Sequence, residues 1–198
     1  MFTEMTKRGY TQKKRAENRD ETHARIVAAA AGLQEALGAA RTTISAVAER
    51  AGVQRLTVYR HFPAEATLHA AGFSHWLARN PLPDAAPWQG LADPDERLLT
   101  ALTALYTYFR ATGRMWTLCH RDAETVPALQ PPLAQAAAFL EGYAARLAAG
   151  PDDGPQARAT LQHAVQFSSW ASLDARGLDD GEMADLVLGW LAGLRGKT

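Results

Sequence analysis

The sequence of 198 residues contains one cysteine, Cys119, which excludes an internal disulfide and fits a reducing compartment. Its thiol reads as a small buried hydrophobe. No apolar run approaches the ~20 residues that a membrane-spanning helix needs. The basic start, with Lys7, Arg8, Lys13, Lys14, Arg15 and Arg19, has no apolar stretch behind it. No secretory signal is read there, so a cytoplasmic location without a membrane partner is expected. No segment alternates polar and apolar residues as a strand would. Catalytic signatures are equally absent: there is no glycine-rich phosphate loop, no Gly-x-Ser-x-Gly and no His-Glu-x-x-His. Cys119 and His120 are neighbours on a helix and point apart, which argues against a nucleophile–base pair. His69 and His75 do not share a helical face, and neither His120 nor His163 has a second ligand at zinc spacing. An enzyme, a metal and a cofactor are not expected.

Net charge is missing too, but the balance hides an asymmetry. Residues 1–79 carry 12 Lys and Arg against 7 Asp and Glu, whereas residues 80–198 carry 9 against 14. A basic N-terminal part on an acidic remainder suggests a nucleic-acid-binding module joined to a different one.

What is present is helical punctuation. Residues 1–20, polar and charged, read as a flexible basic arm. Ile26, Ala30, Leu33 and Leu37 then recur at spacings of three and four, giving a helix that stops at Gly38. Short helices follow over 43–50 and 54–61, and Pro63 opens a fourth that runs to about Arg79. Pro81, Pro83 and Pro87 mark a linker over 81–93. Beyond it the pattern predicts helices over 94–112, 115–124, 132–149, 155–176 and 180–194, with a turn at Pro151-Asp152-Asp153-Gly154. The expected fold is all-α, with a DNA-binding domain over 21–80 and a second helical domain over 94–198.

The stretch Thr43 to Phe62 carries the functional signal. Ala48 is small enough for two helices to cross over it, and Gly52, four positions on, can enter the left-handed region that the turn requires. Val53 and Val58 point the second helix inward. Its outer face then presents Arg55, Thr57, Tyr59 and Arg60, groups suited to base edges and phosphates in a major groove. Two short helices with a glycine between them would be the structural alternative. The basic flanks and the inner-face residues favour a helix-turn-helix.

The block from Ala24 to Leu77 resembles the DNA-binding domain of the tetracycline-repressor (TetR) family. The matching pieces are Arg25-Ile26, Ala29-Ala30, Gly38, Thr42-Thr43, Val47 to Val53, Thr57 to Phe62, and Leu68. The resemblance implies a regulator, in the usual case a repressor, that leaves its double-stranded DNA operator when a small-molecule effector binds. It implies phosphate contacts from Thr43, Tyr59 and His61, base contacts from Arg55 and Thr57, and a thymine-methyl contact from Leu56. Arg60 joins them on the outer face, while Phe62 packs under the neighbouring helices. Two positions depart from the family: Gln54 stands where Ser is frequent, and Glu65 where a Lys usually meets the DNA backbone. A helical ligand- or partner-binding protein of this fold that has lost DNA binding is the alternative reading.

The resemblance further implies a ligand cavity in the C-terminal part. Tyr106, Phe109, Arg110, Trp116, His120, Phe139, Tyr143, His163, Phe167 and Trp170 are its candidate lining, although each could equally be core or surface packing. Helices 155–176 and 180–194 look apolar on more than one face, so a homodimer through a four-helix interface is expected. Effector entry should tilt helix 64–79 and release the DNA.

Overall fold

The computed structural model describes residues 2–148 and 154–195, with side chains from residue 12 onward. The turn expected at 151–154 therefore lies outside the described residues except for Gly154, as do the side chains of Lys7 and Arg8. Every regular element among the described residues is helical. The chain divides into two compact units, one of residues 1–79 and 118–130, the other of residues 80–117 and 131–198.

In the first unit, helix α1 spans Phe2–Leu37. The flexible arm expected over 1–20 is thus continuous with the helix expected to begin near Glu21. Lys, Arg, Gln and Glu have good helix propensity, and neither proline nor a turn signal interrupts residues 12–20. Helices α2 (Ile44–Ala51), α3 (Arg55–His61) and α4 (Glu65–Arg79) follow. The core gathers Ile26, Val27 and Ala30 of α1, Val47 and Ala48 of α2, Val58 of α3, then Phe62 and Leu68. These are the positions that three- and four-residue spacing places on one stripe. Leu37, expected on that stripe, lies at the solvent edge instead.

Helix α1 stops where Gly38 adopts φ 88°, ψ 162°, a region essentially reserved for glycine. A 3-10 turn, Ala39–Arg41, then leads to α2. The buried carboxylate of Asp122 braces this turn. Its Oδ2 accepts the Ala40 N–H at 3.0 Å, and its Oδ1 accepts Arg121 Nε at 2.7 Å. Burial alone would raise the Asp122 pKa. The hydrogen bonds from Arg121 and the Ala40 and Ala39 amides, with the Arg121 charge, outweigh it and hold the group below the usual carboxylate range. Nearby, burial and then the Asp122 charge push the Cys119 thiol up to about 12, which keeps it protonated and unreactive.

The second unit begins with a correction to the expected linker. Residues 81–93 contain the short helix α5 (Ala86–Gln89), and Trp88 within it is only 1% exposed. Its ring meets the edge of Tyr143 at 4.9 Å, so this proline-rich stretch is part of the core. Helix α6 runs unbroken over Pro94–Asp122, where two helices were expected. Gly113 sits inside it because the Trp170 ring packs against that spot: a Cβ there would lie 3.0 Å from the ring. Residues 118–122 of α6 group with the first unit, which also corrects the assignment of all of 94–198 to one domain.

Helix α7 (Gln130–Leu147) supplies Tyr143, whose hydroxyl donates to Ala101 O at 2.9 Å. The single helix expected over 155–176 is two, α8 (Pro155–Ala164) and α9 (Phe167–Asp174). At the break the His163 carbonyl accepts both the Gln166 N–H at 3.1 Å and the Ser169 hydroxyl at 2.6 Å, in place of the next helical amide. Helix α10 (Asp180–Arg195) starts with a capping box: Asp179 Oδ1 accepts the Glu182 N–H, and Glu182 Oε2 accepts the Asp179 N–H.

Gly38 and Gly52 give an ordered pair of stability tests. Gly38→Ala meets both a glycine-only backbone region and the Asp122 carboxylate, which occupies the space of the new Cβ. Gly52→Ala meets only the left-handed penalty, about 1–2 kcal/mol, because nothing lies within 4 Å of its Cβ. Thermal or urea unfolding should show Gly38→Ala to be the more damaging. The reverse order would show that the Asp122 brace yields freely.

Candidate nucleic-acid interface

Helix α2 begins at Thr43, whose extended backbone (φ −94°, ψ 152°) lets its Oγ1 accept the Ala46 N–H at 3.2 Å. The hydroxyl hydrogen remains directed away from that bond, available to an acceptor outside. The helix ends in a Schellman motif. Gly52 is left-handed at φ 66°, its N–H donates to Glu49 O at 3.1 Å, and Val53 N–H donates to Ala48 O at 3.0 Å. This closing turn sets the direction of α3, and it explains why a small residue at 48 and glycine at 52 occur together.

Gln54 opens α3 without any side-chain cap. Val58 is fully buried and anchors the helix, which turns its other face to solvent. Leu56 is 58% and Tyr59 44% exposed, and Arg55 and Arg60 are exposed beside them. Thr57 and His61 are half-buried at the edges of this face. Arg55 with Tyr59 and Leu56 with Arg60, each four apart, therefore form one mixed cationic, aromatic and aliphatic surface. An exposed leucine and tyrosine over a buried valine make a surface built for contact.

Phe62 belongs to the core and stacks on His23 of α1, with centroids 4.9 Å apart. His23 also lies 5.8 Å from His61. Burial, then the His23 and Arg19 charges, lower the His61 pKa, which favours a neutral ring able to donate an N–H. The candidate site residues expected from the sequence did not include His23, and Arg19 entered there only as part of the basic arm. Their signal was spacing: Arg19, His23 and Val27 follow one another at four-residue intervals. Glu65 is exposed in the first turn of α4 and shares a recess of about 350 Å³ with Thr43 and His69. Gln34 Nε2 donates to the His69 carbonyl at 3.2 Å and lies 3.3 Å from His69 Nδ1. Nδ1 is thereby the acceptor and Nε2 carries the proton. Burial lowers the His69 pKa against the raising influence of Glu65 and Asp122.

The ten candidate ligand residues separate by environment. Phe109, Trp116, Phe167 and Trp170 pack ring against ring at 5.4–6.1 Å and fill the second unit's core. Tyr143 is buried against Trp88, whereas Phe139 and His120 are exposed. Arg110 is exposed and engaged: it pairs with Asp174 at 2.7 Å and Asp180 at 2.9 Å, donates to Leu178 O, and so ties α6 to the α9–α10 turn. Only Tyr106 and His163 of the ten line the recess of about 380 Å³ in this unit, together with Ser168, Ser172, Val187 and Trp190. Among the described residues, no group of three or more His, Cys, Asp or Glu could hold a metal, and no helix is long and apolar enough to cross a membrane.

A helix-turn-helix with a solvent-facing second helix, carried on an all-helical chain, is the arrangement found in DNA-binding transcriptional regulators. Residues 26–71 match the family model of bacterial regulatory proteins of the tetR family. An uncharacterized HTH-type transcriptional regulator of Mycobacterium bovis is 29% identical over 130 residues, covering 66% of this chain and 67% of that protein. Among solved structures, a transcriptional regulator from Rhodococcus sp. RHA1 is similar in fold, with a TM-score of 0.61 at 20% identity, over 87% of this chain and 94% of that one. NalD of Pseudomonas aeruginosa, the secondary repressor of the MexAB-OprM multidrug efflux pump, gives 0.59 at 21% identity, over 88% and 95%. The similarity to the tetR-family model is confined to residues 26–71, the helix-turn-helix and the helices that pack on it.

Two substitutions at Thr43 test folding and duplex binding separately. Thr43→Ala should cost about 1 kcal/mol of stability through the lost cap. Thr43→Asp keeps the cap and suits the positive helix end, yet should weaken duplex binding by opposing a phosphate. Retained affinity in a well-folded Thr43→Asp protein would remove this residue from the interface.

Proposed function

We propose that the chain is a dimeric repressor that holds a near-palindromic operator through two copies of α3 and leaves it when a small molecule enters the second unit. The observation that carries the reading is the outer face of α3, where Arg55, Leu56, Tyr59 and Arg60 stand exposed over a buried Val58. Arg55 and Thr57 read bases, Leu56 meets a thymine methyl, and Thr43, Tyr59 and His61 hold phosphates. One such helix covers too few bases for specificity. Two, set roughly 34–36 Å apart, would occupy adjacent major grooves.

The outward Leu186 and Trp190 of α10, on a helix whose Met183, Val187 and Leu191 are buried, support a second apolar face for a partner copy. The recess lined by Tyr106 and His163 supports an effector with an apolar body and one hydrogen-bonding group. Release would be carried by α6, whose last residues, 118–122, group with the helix-turn-helix unit and brace Gly38 through Asp122. Because linkage is reciprocal, operator DNA must weaken the effector by the factor with which the effector weakens DNA.

The test is a gel shift on duplex DNA taken from beside the gene. Tyr59→Ala should weaken binding to operator and random duplex alike, whereas Arg55→Ala should lose about 1–3 kcal/mol of discrimination at particular base pairs. Equal loss on both duplexes for Arg55→Ala would withdraw its base-reading role.

Glu65 favours a second reading, a protein of the same fold that no longer binds DNA, since its exposed carboxylate stands beside Thr43 where a phosphate would pass. Under the repressor reading, Glu65→Lys should tighten binding to any duplex and steepen the salt dependence by about one log unit per log salt in each protomer. If neither the native chain nor Glu65→Lys shifts any duplex, the second reading replaces the first.

A further inference from the structure

Helix α1 is longer than the body it packs on. Its buried stripe begins at Ile26 and Val27, and residues 12–21 are all exposed. At 100° per residue each four-residue step drifts by about 40°, so His23, Arg19 and Arg15 lie about 40°, 80° and 120° round from Val27, on the side where Ile26 and Ala30 farther along enter the core. Glu17 and Glu21 fall on the opposite side of the helix, and Lys13 and Lys14 fall on its flanks and back. Asp20, seven residues before Val27 and about 20° from it round the helix, is the one carboxylate on this side of the overhang, beside the two arginines. The overhang's inner end is fixed at the C-terminal end of α3, where His23 stacks on Phe62 and lies 5.8 Å from His61.

We propose that Arg15, Arg19 and His23, in line with His61, form a rigid phosphate-binding ridge that grips the DNA backbone beyond the bases read by α3. The inference rests on the DNA-binding reading and extends it to a segment outside the matched family region, residues 26–71. Several observations select a nucleic-acid backbone as the occupant. The face is cationic where an apolar stripe would continue toward a protein partner. It begins at the end of the helix assigned to the major groove. At 1.5 Å per residue, the step from Arg15 to His23 spans about 12 Å, the length of roughly two phosphate spacings along a strand. The groups facing His61 from α1 are His23 and Arg19, both cationic or able to become so, and their repulsion would be relieved by one shared phosphate.

The probe is a mixed-sequence 40-base-pair duplex, because backbone contacts do not require the operator; binding is followed by fluorescence anisotropy against salt with the full chain. Each phosphate contact contributes a slope of about 0.9 in log K against log salt. The double variant Arg15→Gln/Arg19→Gln should lower the slope by about two per protomer and raise the Kd roughly tenfold or more near 0.15 M salt. Lys13→Gln/Lys14→Gln removes the same charge from the other faces and should change the slope far less. Far-UV circular dichroism checks that each exposed-site variant stays helical. If wild type binds with a steep slope while the two double variants lose equal amounts, the ridge is wrong and the DNA-binding reading stands. If wild type binds no duplex at any salt, the DNA-binding reading itself falls.

Discussion

The helix-turn-helix unit depends on one buried carboxylate. Gly38 ends α1 in a conformation other residues resist, and the space that a side chain would need is filled by Asp122 and Arg121. Through the Ala40 amide, Asp122 fixes the 3-10 turn between α1 and α2, and the turn fixes where Thr43 starts the next helix. The Thr43 cap, the Ala48–Gly52 closure and the solvent-facing side of α3 all follow from that placement. A residue more than 80 positions along the chain thus helps to set the exposed face of α3. The Thr42 hydroxyl donating to Gly38 O completes the same turn from the other side.

The local grammar of this unit was legible because each requirement names a residue. A left-handed turn wants Gly52, a crossing wants Ala48, a buried anchor wants Val58, and helical spacing supplies Ile26 and Ala30. Asp122 was illegible, since nothing local distinguishes a carboxylate that ends one helix from any solvated aspartate. The same limit hid Trp88: three prolines read as a linker, and only packing against Tyr143 shows that the stretch folds into the core. Gly113 and the α8–α9 break mislead in opposite ways. A glycine inside a helix can be there for a neighbouring ring, and a helix can break at Val165–Gln166 without proline or glycine when the Gln166 amide and the Ser169 hydroxyl share the His163 carbonyl.

Aromatic residues posed a harder problem. Interleaved rings and polar groups are equally the composition of a ligand cavity and of a packed core. Ring-to-ring contact decides for Phe109, Trp116, Phe167 and Trp170, which spend their faces on each other. Arg110 looked like an anchor for a ligand, yet its donors are spent on Asp174, Asp180 and Leu178 O, bonds formed across more than 60 residues of chain. Tyr106 is buried with its hydroxyl given to Ala164 O and still borders a recess, a combination that spacing alone could not reveal.

The division of the chain into two units also divides its chromophores. Of five tryptophans, Trp76 alone stands in the unit that carries the helix-turn-helix, where its indole N–H donates to Glu35 at 3.1 Å. Trp88, Trp116 and Trp170 are buried in the other unit, and Trp190 is 40% exposed there. Intrinsic emission from this protein is accordingly weighted toward the second unit, with a red-shifted, quencher-accessible component from Trp190 over a blue-shifted, protected one. A chain that keeps Trp76 as its sole indole would emit only from the helix-turn-helix unit, so the unfolding of that unit could be followed apart from the other's.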